Sequence, residues 1–320
     1  MSSGNNAPLA AIFSLEGPIL QDYERQLFEE VDPLGFILFK RNIENPLQLQ
    51  KLTSDLEALF LRDVPILVDQ EGGRVQRMGA PEWPDYPAMQ TLANDPEKLE
   101  EIISSIAKDL AECGITVNCA PVLDVLTQQT DNAIGDRAFS DDPKAVGQCG
   151  IVACETFLHY GITPVIKHLP GQGRAESDSH KELPRVKVSA HDLEQDYSPF
   201  QTLMDKPYAD HIWGMVAHVV YEAIDPDYPS SVSSAVIDVI RDEIGFDGLL
   251  LSDDLDMDAL VSLGDIPERA KAVLEAGCDI ALYCHGNLEV MKEMADALPP
   301  MRADSLERYE RSRIRRRPAA

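Results

Sequence analysis

Eight short apolar runs, each followed by a polar loop and then a helical pattern, constrain this chain more than any other feature. They are LAAIFSL (9–15), GFILF (35–39), PILVDQ (65–70), ITVNCAPV (115–122), ITPVIKH (162–168), GMVAHVV (214–220), GLLLSDD (248–254) and DIALYC (279–284). Several are apolar throughout rather than alternating, the pattern of strands covered on both faces. Between them lie amphipathic helix candidates. EKLEEIISSIAKDLAEC stops at Gly114, PKAVGQCGIVACETFLHY at Gly161, and SAVIDVIRDEI, which begins after a serine, at Gly245. PERAKAVLEA carries a proline near its start. Glycine past the last turn and proline in the first are the positions helix geometry favours. Eight strands alternating with helices imply an α/β fold, a (β/α)8 TIM barrel. A doubly wound sheet would favour a glycine-rich phosphate loop after its first strand, and SLEGPIL is not one. The chain exceeds the ~250 residues typical of a barrel, and its long loops take up the surplus. No low-complexity linker divides it. Residues 1–320 are expected to form one domain with a short Arg-rich tail at about 311–320.

Composition narrows the partners. There are 55 acidic against 28 basic residues, a formal net charge of −27. Such a surface repels nucleic acid and anionic membranes, so neither is an expected partner. The tail RSRIRRRPAA runs against the trend; after a helical pattern it reads as a frayed, solvated end. The six cysteines form no CxxC pair and several sit in apolar runs, so they read as reduced core residues. No run nears the ~18 apolar residues that span a membrane. The N-terminus lacks the basic-then-apolar order of a signal peptide. Together these point to the cytoplasm.

Barrel sites lie at the C-terminal ends of strands and in the loops that follow. Here those ends are polar. Run three ends in Asp69 within VDQEGGRVQR, run five in Lys167 and His168, run six in His218, and run seven in Ser252, Asp253 and Asp254. Adjacent carboxylates on a strand point to opposite faces, so one of Asp253 and Asp254 at most faces the axis. A carboxylate at a strand tip can act as nucleophile or stabilise a cationic transition state. Capping of the following LDMDALV segment is the structural alternative, chiefly for Asp254.

In DSH, Asp178 and His180 fall on the same side of an extended segment. An aspartate beside a histidine fixes its tautomer and raises its basicity, the logic of a catalytic dyad. DxH is also a metal pair, with His168 and His218 as further ligands, although the neighbouring Lys167 disfavours a cation. Lys167 itself could form a Schiff base with a carbonyl substrate or donate to hydroxyls or anions. Arg77 and Arg137 offer rigid donor forks for carboxylates and polyols, or loop-stapling salt bridges. EGGR lacks the spacing and the Lys-Ser/Thr of a phosphate loop.

Five motifs, taken in order, resemble the signatures of glycoside hydrolase family 3: VDQEGGRVQR, IGDRAFSDDP, KHLPGQGRAESDSHKELP, MVAHVVYEAIDPDYPSSVS and FDGLLLSDDLDM. Within it, the chain is most similar to single-domain bacterial β-N-acetylglucosaminidases of cell-wall recycling. The resemblance spans about residues 36–283. It implies a TIM barrel and a retaining, exo-acting β-hexosaminidase without metal or organic cofactor. Asp253 matches the nucleophile, and His180 the acid/base with Asp178 as partner. Asp69, Arg77, Arg137, Lys167 and His168 match substrate-binding positions. The implied substrate is a small carbohydrate, a terminal β-linked N-acetylglucosamine next to 1,6-anhydro-N-acetylmuramic acid with or without peptide, and a monomer is favoured. The chain departs from the family pattern at Leu169 and Gln172, where phenylalanine and histidine are usual. This implies altered loop packing. The glycine-rich loop, with Gly171 and Gly173, could carry His180 in and out. Alternatives are phosphorolysis or another sugar on the same barrel, a lyase built on Lys167, and a non-catalytic sugar-binding barrel.

Overall fold

The computed structural model of the chain describes residues 7–314. All eight apolar runs contribute barrel strands: β1 (Leu9–Phe13), β2 (Pro33–Leu38), β3 (Ile66–Val68), β4 (Val117–Asn118), β5 (Thr163–Leu169), β6 (Trp213–Val216), β7 (Leu250–Asp254) and β8 (Ile280–Leu282). Neighbours in the chain pair in parallel, and β8 closes on β1 through Ala11↔Ala281 and Ile12↔Leu282. The fold is the expected (β/α)8 TIM barrel in one domain. β4 is short because Pro121, four residues past Val117, has no N–H to continue the ladder.

Among the described residues, eight helices ring the barrel: α1 (Asp22–Val31), α2 (Pro46–Glu57), α3 (Pro96–Glu112), α4 (Pro143–His159), α5 (Ala190–Met204), α6 (Ser234–Asp238), α7 (Ile266–Ala276) and α8 (Leu288–Ala297). Their ends follow the sequence signals. In α3 the Asp95 side chain accepts from the Lys98 N–H, Pro96 begins the first turn, and Leu99, Ile103, Ile106 and Leu110 form the buried stripe. The SAVIDVIRDEI segment differs from the single α-helix expected. After Asp238 it widens into a π turn, Val239–Glu243, within which Arg241 bonds the carbonyls of Phe246 and Gly248 and the Asp279 carboxylate.

A ninth helix, α9 (Ala303–Ser312), packs against the N-terminal mouth of the barrel. Trp213 at the start of β6 donates its indole N–H to Ser312 Oγ at 2.8 Å. Asp279, fully buried just before β8, accepts from Ser305 at 2.5 Å and pairs with Arg241 and Arg308. This corrects the frayed-end expectation for the first tail residues. Arg311 pairs with Asp247 at 2.8 Å and Arg313 with Asp63 at 2.5 Å. Residues 315–320 of the tail lie outside the described residues. With one mouth covered, the C-terminal mouth is where a site can open. The six cysteines are all buried and unpaired by disulfides. Among the described residues, no helix is long and apolar enough to cross a membrane.

Candidate active site

The floor of the C-terminal mouth is an alternating set of charges. β3 runs straight into a short hairpin, Gln70–Gly72 against Val75–Gln76, which delivers Asp69, Glu71 and Arg77 to one place. Lys167, on β5, reaches across to Asp69 at 2.9 Å and Glu71 at 2.7 Å. Arg137, on the loop before α4, grips Glu71 with both carboxylate oxygens engaged and holds the Ala133 carbonyl. Arg77 donates to Asp69 at 3.0 Å and lies over the Phe39 ring.

Burial alone would raise the carboxyls of Asp69 and Glu71 and lower the Lys167 ammonium; the pairing outweighs it in each case. Lys167 and Arg77 hold Asp69 well below the usual carboxylate range, and Arg137 and Lys167 hold Glu71 down at about 2. Asp69 and Glu71 hold Lys167 above its ordinary value. Lys167 is therefore fixed as an ammonium donor, not the neutral amine a Schiff base requires. For Arg137 the observed contacts are those of the loop staple, though it still lines the cavity. Glu71, set aside in sequence as part of a failed phosphate loop, is the hub.

A second cluster surrounds Asp253. The β7 tip presents Asp253 to the cavity, and the Asp254 backbone N–H donates to its Oδ1 at 2.8 Å. Burial would raise the Asp253 carboxyl; the fields of His168 and His218 and that N–H outweigh it and hold it below its ordinary value. Asp254 has the structural role. Its Oδ1 accepts from the N–H groups of Asp256 and Cys284, which pins the β7 loop to the end of β8 instead of capping a helix. His168 is locked by Asp124, with Nδ1 to Oδ2 at 2.7 Å. His218 has both ring nitrogens committed, to Ser231 Oγ at 2.7 Å and to the Asp254 carbonyl at 3.0 Å. Burial pushes its pKa down, and the nearby Asp253 carboxylate opposes that shift.

Asp124 went unnoticed in sequence. The available signal was a carboxylate inside the apolar run PVLDV, since a buried charge must find a partner.

Asp178 and His180 meet, with Oδ1 to Nδ1 at 2.9 Å, but not on an extended segment. Asp178 Oδ1 also accepts the His180 backbone N–H at 3.0 Å, so a tight turn brings the pair together. Hydrogen bonds from His180 and Lys181 overcome burial and keep the Asp178 carboxyl below its ordinary value. His180 is exposed at the rim.

The glycines of this loop differ from the hinge reading. A Cβ on Gly173 would lie 1.8 Å from the Val125 carbonyl oxygen, and one on Gly171 would lie 2.8 Å from Asp196 Cβ. They are points of close packing that fix residues 170–175. Among the described residues, no group of three or more His, Cys, Asp and Glu is arranged to hold a metal ion.

One cavity of about 310 Å³ gathers Asp253, His180, Asp178, Lys167, His168 and the Asp69–Arg77–Arg137 floor. All eight residues that the family resemblance matched to catalytic or substrate-binding positions thus line one cavity. A barrel whose strand tips join a half-buried carboxylate, a His–Asp pair and rigid ionic hydrogen-bonding groups is an enzyme built for a polyhydroxylated substrate.

Comparison with known proteins specifies the class. Residues 20–309 match the glycosyl hydrolase family 3 N terminal domain. A β-hexosaminidase of Alkalilimnicola ehrlichii is 40% identical over 86% of this chain and 80% of that protein. One from Nitrosomonas eutropha is 36% identical over 84% and 81%. The crystal structure of NagZ from Neisseria gonorrhoeae in complex with N-trifluoroacetyl-D-glucosamine superposes with a TM-score of 0.87 at 32% identity, covering 97% of this chain and 91% of that one. The chain belongs to glycosyl hydrolase family 3 and is a glycoside hydrolase of the β-N-acetylhexosaminidase class.

Proposed function

We propose that the protein is a retaining, exo-acting β-N-acetylglucosaminidase that removes terminal N-acetylglucosamine from muropeptide fragments. The observation that carries this reading is the convergence of Asp253 and the Asp178–His180 pair on one cavity. Asp253, kept ionised, attacks the anomeric carbon as His180 gives its proton to the leaving oxygen, and a covalent glycosyl-enzyme forms. Neutral His180 then takes a proton from water, which attacks the same carbon and frees Asp253. Asp178 orients the ring through Nδ1 and stabilises its cationic form.

Asp69, Arg77, Arg137, Lys167 and His168 bind the sugar hydroxyls at the closed end of the cavity, consistent with action on a chain terminus. The ligand in the gonococcal structure is an N-acyl glucosamine, which supports the sugar assignment. The aglycone is 1,6-anhydro-N-acetylmuramic acid, with or without peptide. The reaction serves cell-wall recycling by a cytoplasmic monomer, consistent with six free cysteines. The Asp253→Ala variant tests the assignment. It should fold and lose turnover of an aryl β-N-acetylglucosaminide; wild-type turnover in a folded variant refutes it.

A further inference from the structure

Ser179 stands between the two members of the His–Asp pair, yet it is buried while His180 is exposed. Among the described residues, the two hydrogen bonds that tie residues 176–183 to the rest of the barrel both belong to Ser179. Its Oγ meets Gln172 Nε2 at 3.2 Å, and its carbonyl accepts from the Ala259 N–H at 3.3 Å. Gln172 lies in the fixed half of the loop. Its backbone N–H donates to Asp124 Oδ1 at 2.6 Å, on the same carboxylate that locks His168. Gln172 Oε1 is buried and has no partner among the described residues, so that side-chain amide is held by Ser179 alone. Ala259 belongs to the segment after β7, the strand that carries Asp253.

We infer that Ser179, clasped by Gln172 and Ala259, is the positioning residue that sets the geometry of His180 relative to Asp253. The clasp joins the three structures the reaction has to align: the sugar-binding tip of β5 through Asp124, the His–Asp turn, and the loop behind Asp253. Ser179 touches no reacting atom. It fixes the turn from its buried side while the imidazole stays free at the rim to give and take a proton. This rests on the acid/base assignment of His180 proposed above.

The test measures kcat/KM for Ser179→Ala and Gln172→Leu on two β-N-acetylglucosaminides, one with a 2,4-dinitrophenyl and one with an unactivated alkyl leaving group. The first leaving group departs without protonation; the second needs it. A misplaced proton donor lowers the alkyl substrate's kcat/KM by about tenfold or more and the dinitrophenyl substrate's far less. A merely structural defect lowers both alike. Equal losses on both substrates, or none on either, overturn the inference. The two substitutions break the clasp from opposite sides, so one that fails to fold leaves the other to decide. His180→Ala is run in parallel. If that variant lacks the leaving-group split, the acid/base assignment itself fails; if it shows the split and the clasp variants do not, only the positioning role falls.

Discussion

Arg137 and Glu71 are joined by two parallel hydrogen bonds, Nε to Oε2 at 2.8 Å and Nη2 to Oε1 at 2.9 Å, with Lys167 closing on the same carboxylate at 2.7 Å. Glu71 is buried and neutralises the buried Lys167 and the half-buried Arg137. Removing it by Glu71→Ala leaves both under-compensated and should cost about 3–5 kcal/mol of stability, the range for breaking a buried pair. Urea unfolding measures it. The acid limb follows from the same pairing. Glu71 is held at about 2 against an ordinary 4.5, so its contribution is full above 4.5 and is lost as pH falls towards 2. A Glu71→Gln variant, less stable at pH 7, should close the gap to wild type across that window.

Asp196, on α5 beneath Gly171, should show the opposite sign. Burial pushes its carboxyl up to about 6 from 3.8, against the hydrogen bond from Arg174. Its stabilising contribution is present below 3.8 and is lost as pH rises through 6. Across that interval, Asp196→Asn should gain on wild type in melting temperature, and the gap should level off above it. A gap that does not change with pH contradicts this.

Gly173 tests whether the loop is fixed by packing. A methyl group there cannot fit beside the Val125 carbonyl, and the obstacle is backbone. Gly173→Ala should displace the loop, cost about 1–3 kcal/mol, and lower kcat/KM in parallel. A hinge would tolerate alanine and leave both almost unchanged.

The pH–rate profile separates the two reacting groups. Asp253 is held below its ordinary value, so the acid limb of kcat/KM should set in at lower pH than an unperturbed aspartate would give. His180→Ala, measured with the dinitrophenyl leaving group, should keep that acid limb, because Asp253 must still be ionised to attack.

Much of this was legible in the sequence, for particular reasons. The eight strands could be read because both faces are covered, which makes each run apolar over most of its length and leaves Lys167, His168 and Asp253 conspicuous at the polar ends. Asp178 and His180 were found through their spacing, although a turn, not an extended segment, is what joins them. Glu71 and Asp124 were hidden because their roles depend on partners 66 and 44 positions away. Gly171 and Gly173 read as freedom in one dimension and prove to be contact in three. Ser179 carried no signal, since its burial depends on how the loop lies against Gln172 and Ala259.

The most direct test of the central claim is the mass of the enzyme after reaction with a fluorinated N-acetylglucosaminyl donor whose glycosyl-enzyme breaks down slowly. The intact mass should rise by one sugar, and peptide mapping should place it on Asp253. No adduct, or one on any residue other than Asp253, contradicts the account.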